Sequence, residues 1–306
     1  MRKVFLLLTL LSFFTSVFCQ ISIANISEKK VVEEPKFDVT KNKQSNVMAY
    51  RNQELFIIPK SKGLDRFGYD DFLTINFTKN DSKYDKKFVY KSNRDKVMPR
   101  TAHDSIAGKT FVVDSISCYK GPEYMFYMHQ KDNSENKCIY LYDTTFSNSE
   151  LLAVGYYNYI KSQNVGKSYM IRNNRLRAND MESGEPIVFE EKSYGQWECA
   201  DIALEPNYFY LILVFSNGKN TTYMGYSETE YSRIEISDWD SMVSKYGIEN
   251  MEKVMDGVIY KGMPVVLLYM SWGAPKTINS SSYSADQYVY NNQYVYVEDG
   301  VVTGWN

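Results

Sequence analysis

The sequence predicts an α+β protein that is predominantly antiparallel β. β-rich N-terminal and central modules are followed by a small C-terminal module of two helices and a three-stranded meander. Three observations predict it. Aromatic residues are abundant, 27 Tyr and 16 Phe, while Gly (16) and Pro (8) are modest in a chain of 306 residues, a balance that suits strands rather than low-complexity linkers. Between Leu55 and Ile236, short apolar or alternating runs recur between turn-forming residues. Beyond Ser237 the punctuation changes to helix caps and stops, followed by one tetrapeptide repeated across Asn-Asn.

Arg2 and Lys3 precede an apolar run, Val4 to Leu11, which continues through Phe13, Phe14, Val17 and Phe18 to Gln20. A basic start, an apolar core short of the about 20 residues of a spanning helix, and polar chain beyond it make residues 1–19 a secretory signal peptide. Cleavage after Cys19 puts Val17 and Cys19 at the two positions that signal peptidase reads and leaves Gln20 first, a start that resembles secreted proteins of the Bacteroidota. Lipid anchoring at Cys19 is the alternative, but a lipobox wants a small residue where Phe18 stands. The expectation is an exported protein, periplasmic or extracellular. Losing Arg2 and Lys3 moves the formal charge from −2 to −4, which argues against a nucleic-acid partner. The most apolar later stretches, Tyr208 to Phe215 and Met263 to Met270, are too short to cross a bilayer, so no transmembrane helix is expected in the mature chain.

Residues 20–47, rich in Glu and Lys and without a helical or strand period, read as a flexible leader. A small β-rich region follows over 48–100, with runs Leu55 to Ile58, Phe72 to Phe77 and Phe88 to Tyr90. A β-rich sheet or barrel domain is expected over 101–236, including Tyr124 to Met128, Lys137 to Tyr142 and Leu151 to Ile160 as strands. Gly108-Lys-Thr-Phe-Val-Val113 recurs as Gly166-Lys-Ser-Tyr-Met-Ile171, a hint of two related β units. Neither is a phosphate-binding loop, because the upstream glycine of that motif is missing. Over 237–306, Asp238 to Tyr246 and Ile248 to Asp256 carry helical composition around a Gly247 stop, and Pro264 and Gly273 bracket a further short helix. Gln287-Tyr-Val-Tyr290 and Gln293-Tyr-Val-Tyr296 then form a hairpin across Asn291-Asn292, whose side chains tolerate positive φ, and Asp299-Gly300 turns the chain into a third strand.

Gly262-Met263, Trp272-Gly273-x-Pro275, the Gln287 strand and Gly300 appear in the order found in BamE/SmpA-like modules, and the C-terminal 50 to 60 residues resemble that family. Pro264 departs from the Thr or Ser that usually follows Gly-Met. The resemblance implies a small envelope module that engages a protein partner. It also implies that Gly262, Met263, Trp272, Gly273, Pro275 and Gly300 define the fold rather than perform chemistry.

Catalytic signals are thin. His103 and His129 are isolated, with neither a His-x-x-x-His nor a Cys-x-x-Cys spacing for a metal. Cys199 has no histidine after it, and no Gly-x-Ser-x-Gly elbow exists. The carboxylate pairs Asp70/Asp71 and Asp238/Asp240 suit turns and helix starts better than a glycosidase. No catalytic, cofactor or metal residue is therefore assigned. Cys118 and Cys138 could close a disulfide between neighbouring strands of an exported protein. The expected function is a non-enzymatic, exported protein-interaction or scaffold protein of the bacterial cell envelope with an envelope protein partner. The alternative is a carbohydrate-binding surface protein that stacks a glycan on exposed aromatics such as Tyr156, Tyr157, Tyr159, Tyr194 and Trp197.

Overall fold

A computed structural model describes residues 35–93, 99–146, 150–189, 192–227, 233–280 and 285–306. The signal peptide, Cys19 and the leader up to Glu34 lie outside the described residues. Three antiparallel sheets follow one another. The first has six strands: β1 (Glu54–Ile57), β2 (Phe72–Leu73), β3 (Thr110–Cys118), β4 (Glu123–Gln130), β5 (Asn133–Asp143) and β6 (Leu151–Ala153), in the order β2-β5-β4-β3-β1-β6. The second has five: β7 (Ser168–Arg172), β8 (Tyr194–Leu204), β9 (Leu211–Ser216), β10 (Thr221–Gly225) and β11 (Arg233–Glu235), in the order β10-β9-β8-β7-β11. The third runs β12 (Thr277–Asn279), β13 (Asp286–Tyr290), β14 (Gln293–Glu298) and β15 (Val301–Trp305) in chain order. The chain is thus β-rich and antiparallel, as the sequence predicts.

The burial pattern explains the composition. Along β5, Cys138, Tyr140 and Tyr142 face one core while Ile139 and Leu141 face another. A strand buried on both faces needs an unbroken apolar run, and this one supplies it. The larger core joins the first two sheets: Phe111, Val113, Phe126 and Met128 on one side meet Tyr169, Ile171, Trp197 and Phe215 of the other. Phe126 stacks on Tyr142 with centroids 4.8 Å apart and planes within 7°, the kind of ring pair that adds to area burial. The division expected between residues 100 and 101 runs through this single sheet, where β1 pairs with β3 and β6, and β2 with β5.

Residues 151–160 do not form one strand. A single helical turn, α1 (His103–Ile106), precedes β3, and after β6 the chain turns into α2 (Val154–Asn164). Tyr156, Ile160 and Asn164 are buried at intervals of four, which is one helical face; three tyrosines in seven residues conceal that period behind strand-like composition. The leader also departs from expectation from Pro35 onward. Asn42 donates to the Leu151 carbonyl (3.0 Å) and accepts from the Ala153 N–H (2.8 Å), so its amide occupies the outer edge of β6 as a neighbouring strand would. Buried Gln44 bonds the backbone of Asp38 and Lys41, and Phe37 packs edge-on against Tyr50. The two Asn42 bonds connect positions over 100 residues apart, which no local period can reveal.

The C-terminal module packs on the second sheet through a core of Tyr194, Ile234, Trp239, Met251, Val254, Leu267, Leu268, Val295 and Val302. Its helices are α3 (Ile236–Tyr246), α4 (Ile248–Asp256) and α5 (Val265–Trp272). Gly247 breaks α3 from α4 at φ 84°, and Gly257 ends α4 in the left-handed region at φ 74°. The expected meander is β13 to β15, with β12 added at its edge from a segment that reads as loop. The Asp299-Gly300 turn has positive φ at both residues (49° and 75°), whereas the Asn291-Asn292 turn closes without one.

Candidate functional site

The family-like residues of the C-terminal module come together, and they knit the fold. Gly262 N–H donates to the Val302 carbonyl (2.7 Å) and Val302 N–H to the Met263 carbonyl (2.8 Å), which ties the Gly-Met pair to β15. Met263 is fully buried. Trp272 Nε1 donates to the Gly257 carbonyl at 2.7 Å and its ring meets Tyr290 edge-on at 5.3 Å, while the Tyr290 hydroxyl donates to the Gly273 carbonyl at 3.0 Å. Gly300 accepts from the Val265 N–H at 2.9 Å. Pro275 stands between α5 and β12.

Other candidates separate. Cys118 and Cys138 are free thiols. β4 lies between their strands, Cys118 sits opposite Tyr124 and Cys138 opposite Met128, so the expected disulfide is not formed. Tyr156, Tyr194 and Trp197 are buried and Tyr157 and Tyr159 half-buried, so these five do not form an exposed platform. Asp70 pairs with Arg100 at 2.7 Å and Asp71 with Lys83 at 3.4 Å. His129 bonds Asp114, and the His103 ring stacks on Tyr69. Among the described residues, no group of three or more His, Cys, Asp or Glu side chains is placed to hold a metal ion.

A cleft of about 640 Å³ opens where the first two sheets meet, within the roughly 300–1,000 Å³ typical of small-ligand sites. Three separate stretches build it. The chain leaving β1 supplies Lys60 and Leu64, the start of β6 supplies Glu150 to Leu152, and the β8–β9 connection supplies Tyr208, Phe209 and Tyr210. The first two are stitched together by the backbone, Ile58 N–H to the Glu150 carbonyl at 2.9 Å. At the side-chain level Lys60 Nζ and Glu150 Oε1 are 2.8 Å apart, with 22% and 26% of their side chains exposed. Lys60 also lies 4.8 Å over the Tyr69 ring, whose hydroxyl donates to the Ile58 carbonyl at 2.7 Å. Burial pushes the Glu150 carboxyl above its ordinary range, and the Lys60 ammonium partly offsets that.

The rim is rigidly made. Buried Glu205 accepts from the N–H groups of Asn207 (2.8 Å) and Tyr208 (2.6 Å) and from the Asn207 side-chain amide (3.0 Å). Burial alone would raise its pKa; the donors outweigh that and hold the carboxyl below the usual range. The turn is closed by Phe209 N–H to the Glu205 carbonyl and Glu205 N–H to the Tyr210 carbonyl, both 2.8 Å, with Phe209 at φ 58°. A non-glycine residue in that region is uncommon and persists only where its surroundings enforce it. The result is an outward presentation of Tyr208 (74% exposed) and Tyr210 (47%) at the mouth.

Sequence reasoning does not find Lys60, Glu150, Glu205, Tyr208 or Tyr210 as a site. Tyr208 to Phe215 reads as one strand, and the one local signal for a turn is Glu205-Pro206-Asn207 before it. Comparison with protein-family models, with curated proteins and with solved structures finds no match for this chain.

Proposed function

We propose that this chain is an exported, non-enzymatic recognition protein of the bacterial cell envelope, with the inter-sheet cleft as its binding site and an interaction or scaffold role. The observation that carries the reading is the composition of the cleft: outward tyrosines on a buried-carboxylate turn, apolar lining residues, and one opposite-charge pair. These groups make contacts that orient a bound molecule. The BamE/SmpA-like resemblance of the C-terminal 50 to 60 residues supports an envelope protein partner for the C-terminal module. Export follows from the signal-peptide reading of residues 1–19.

The test uses the full chain as bait in envelope extract beside the double variant Tyr208→Ala/Tyr210→Ala. A specific partner held by the wild type and lost by the variant supports the cleft as the recognition site; equal retention by both overturns it. Export is checked separately by intact mass of the secreted product, for which Gln20 is the expected first residue and a retained Met1 the contrary result.

A further inference from the structure

The lining of the cleft places complementary hydrogen-bonding groups side by side with no net charge. Lys60 offers three N–H donors and no acceptor, Glu150 offers acceptors only, and one contact of 2.8 Å between them leaves donor and acceptor capacity on each. An anion bound there would face Glu150, a cation would face Lys60, and a purely apolar molecule would strip water from an ion pair without replacing its bonds. A neutral group that donates and accepts from adjacent atoms suits both partners, and vicinal hydroxyls are such a group. To the same cleft Tyr208 and Tyr210 supply exposed aromatic rings, and Leu64, also exposed, lines it as well. Aromatic rings present apolar faces with polar tips, which matches a ring that is apolar on its C–H faces and polar at its edge.

Preorganisation strengthens the match. The turn that carries both tyrosines is held by the buried Glu205 carboxylate and two backbone bonds, so the backbone that presents them is ordered before a ligand arrives. From these features we infer that the cleft binds a neutral, polyhydroxylated ligand, a short saccharide, stacked on Tyr208 and Tyr210 with vicinal hydroxyls on Lys60 and Glu150. This inference rests on the cleft being the recognition site and names its ligand class.

The experiment titrates the full chain by calorimetry with chitotriose, maltotriose and cellotriose. Trigalacturonate serves as an anionic probe and decanoate as an apolar one. At least one neutral trisaccharide should bind more tightly than both controls, and Tyr208→Ala/Tyr210→Ala should weaken it about tenfold or more, which corresponds to about 1.4 kcal/mol, with an unchanged circular dichroism spectrum. Tyr84→Ala, an exposed tyrosine outside the cleft, should leave the affinity as in the wild type. The saccharide inference is overturned if no neutral trisaccharide binds at millimolar concentration, if trigalacturonate or decanoate binds tighter, or if the double variant binds as well as wild type. If the sugars fail while the same double variant still loses its envelope partner, the ligand class falls and the cleft reading stands. If that partner is also retained, both fall.

Discussion

Replacing Arg172 by Met should loosen the C-terminal module from the second sheet. Arg172 ends β7, and its Nη2 donates to the carbonyls of Val254 (2.6 Å), Ser271 (2.8 Å) and Met270 (3.2 Å). Those carbonyls lie in the last turns of α4 and α5, where the dipole is negative; Val254 also accepts from the Gly257 N–H at 3.1 Å, whereas Met270 and Ser271 are among the last four carbonyls of α5, which helix geometry leaves without an intrahelical donor. One nitrogen carries two hydrogens, so the two shorter contacts count as full bonds and the third shares. Hydrogen bonds to a charged group contribute about 1.5–3 kcal/mol each, and each helix end adds about 0.3–1 kcal/mol. Recovered hydration of the guanidinium in the unfolded chain offsets part of this, and Met keeps much of the stem's packing, which leaves a net loss of about 3 kcal/mol. For a unit of this size that lowers the melting temperature by roughly 6–10 °C. Urea unfolding followed by circular dichroism gives the free energy, and hydrogen exchange locates it: amides of α4 and α5 should exchange faster before those of β3 to β5. Arg172→Lys should fall between the two, since a compact ammonium lacks the reach of the fork. A loss below about 1 kcal/mol with unchanged α5 protection would refute the clamp.

Three further outcomes are expected. Asn42→Ala removes both side-chain bonds to β6 and should cost about 1–2 kcal/mol. Limited proteolysis should then cut within residues 36–46 faster than in the wild type, and equal cutting rates would contradict the anchored leader. Of the three cysteines among the described residues, iodoacetamide should label Cys118 alone under native conditions, because Cys138 and Cys199 are buried and burial pushes their thiols up to about 12 and about 11; a peptide containing linked Cys118 and Cys138 would refute the free-thiol arrangement. Glu205, held below its ordinary range, stabilises the rim fully above pH about 4.5, and that contribution is lost as pH falls through the lower folded value. Melting temperatures from pH 6 to pH 3 should therefore fall more steeply in the wild type than in Glu205→Gln, and parallel slopes would show that this carboxylate does not order the turn.

What the sequence discloses and what it conceals divide along chain separation. The β13 to β15 meander, the Gly247 break and the Gly273 stop are set by residues within a few positions of one another, so turn and cap chemistry suffices to read them. The Gly-Met and Trp-Gly pairs are likewise legible as motif, though what they do is visible only in the bonds they make to Val302, Gly257 and Tyr290. Helix α2 was concealed because aromatic side chains serve a helix face and a strand face alike; only the burial of Tyr156, Ile160 and Asn164 distinguishes them. The strand division at residue 100 dissolves for the same reason that β1 reads as independent: pairing to β3 and β6 is non-local.

The cleft is the extreme case of that separation, and its construction has a thermodynamic consequence. Lys60 comes from the exit of β1, Glu150 from the entry to β6, and Tyr208 and Tyr210 from a connection in the other sheet. Asn42 lines the same cleft and holds β6 in place. A ligand that contacts both the ion pair and the tyrosines thereby links the two sheets. Such a ligand binds the folded arrangement and not the unfolded chain, so its binding free energy adds to the stability of both sheets together. A saccharide bound at a hundred times its dissociation constant should stabilise them by about 2.7 kcal/mol. Hydrogen exchange would register this as joint slowing in β6 and β9, whereas slowing of one sheet alone would place the ligand elsewhere.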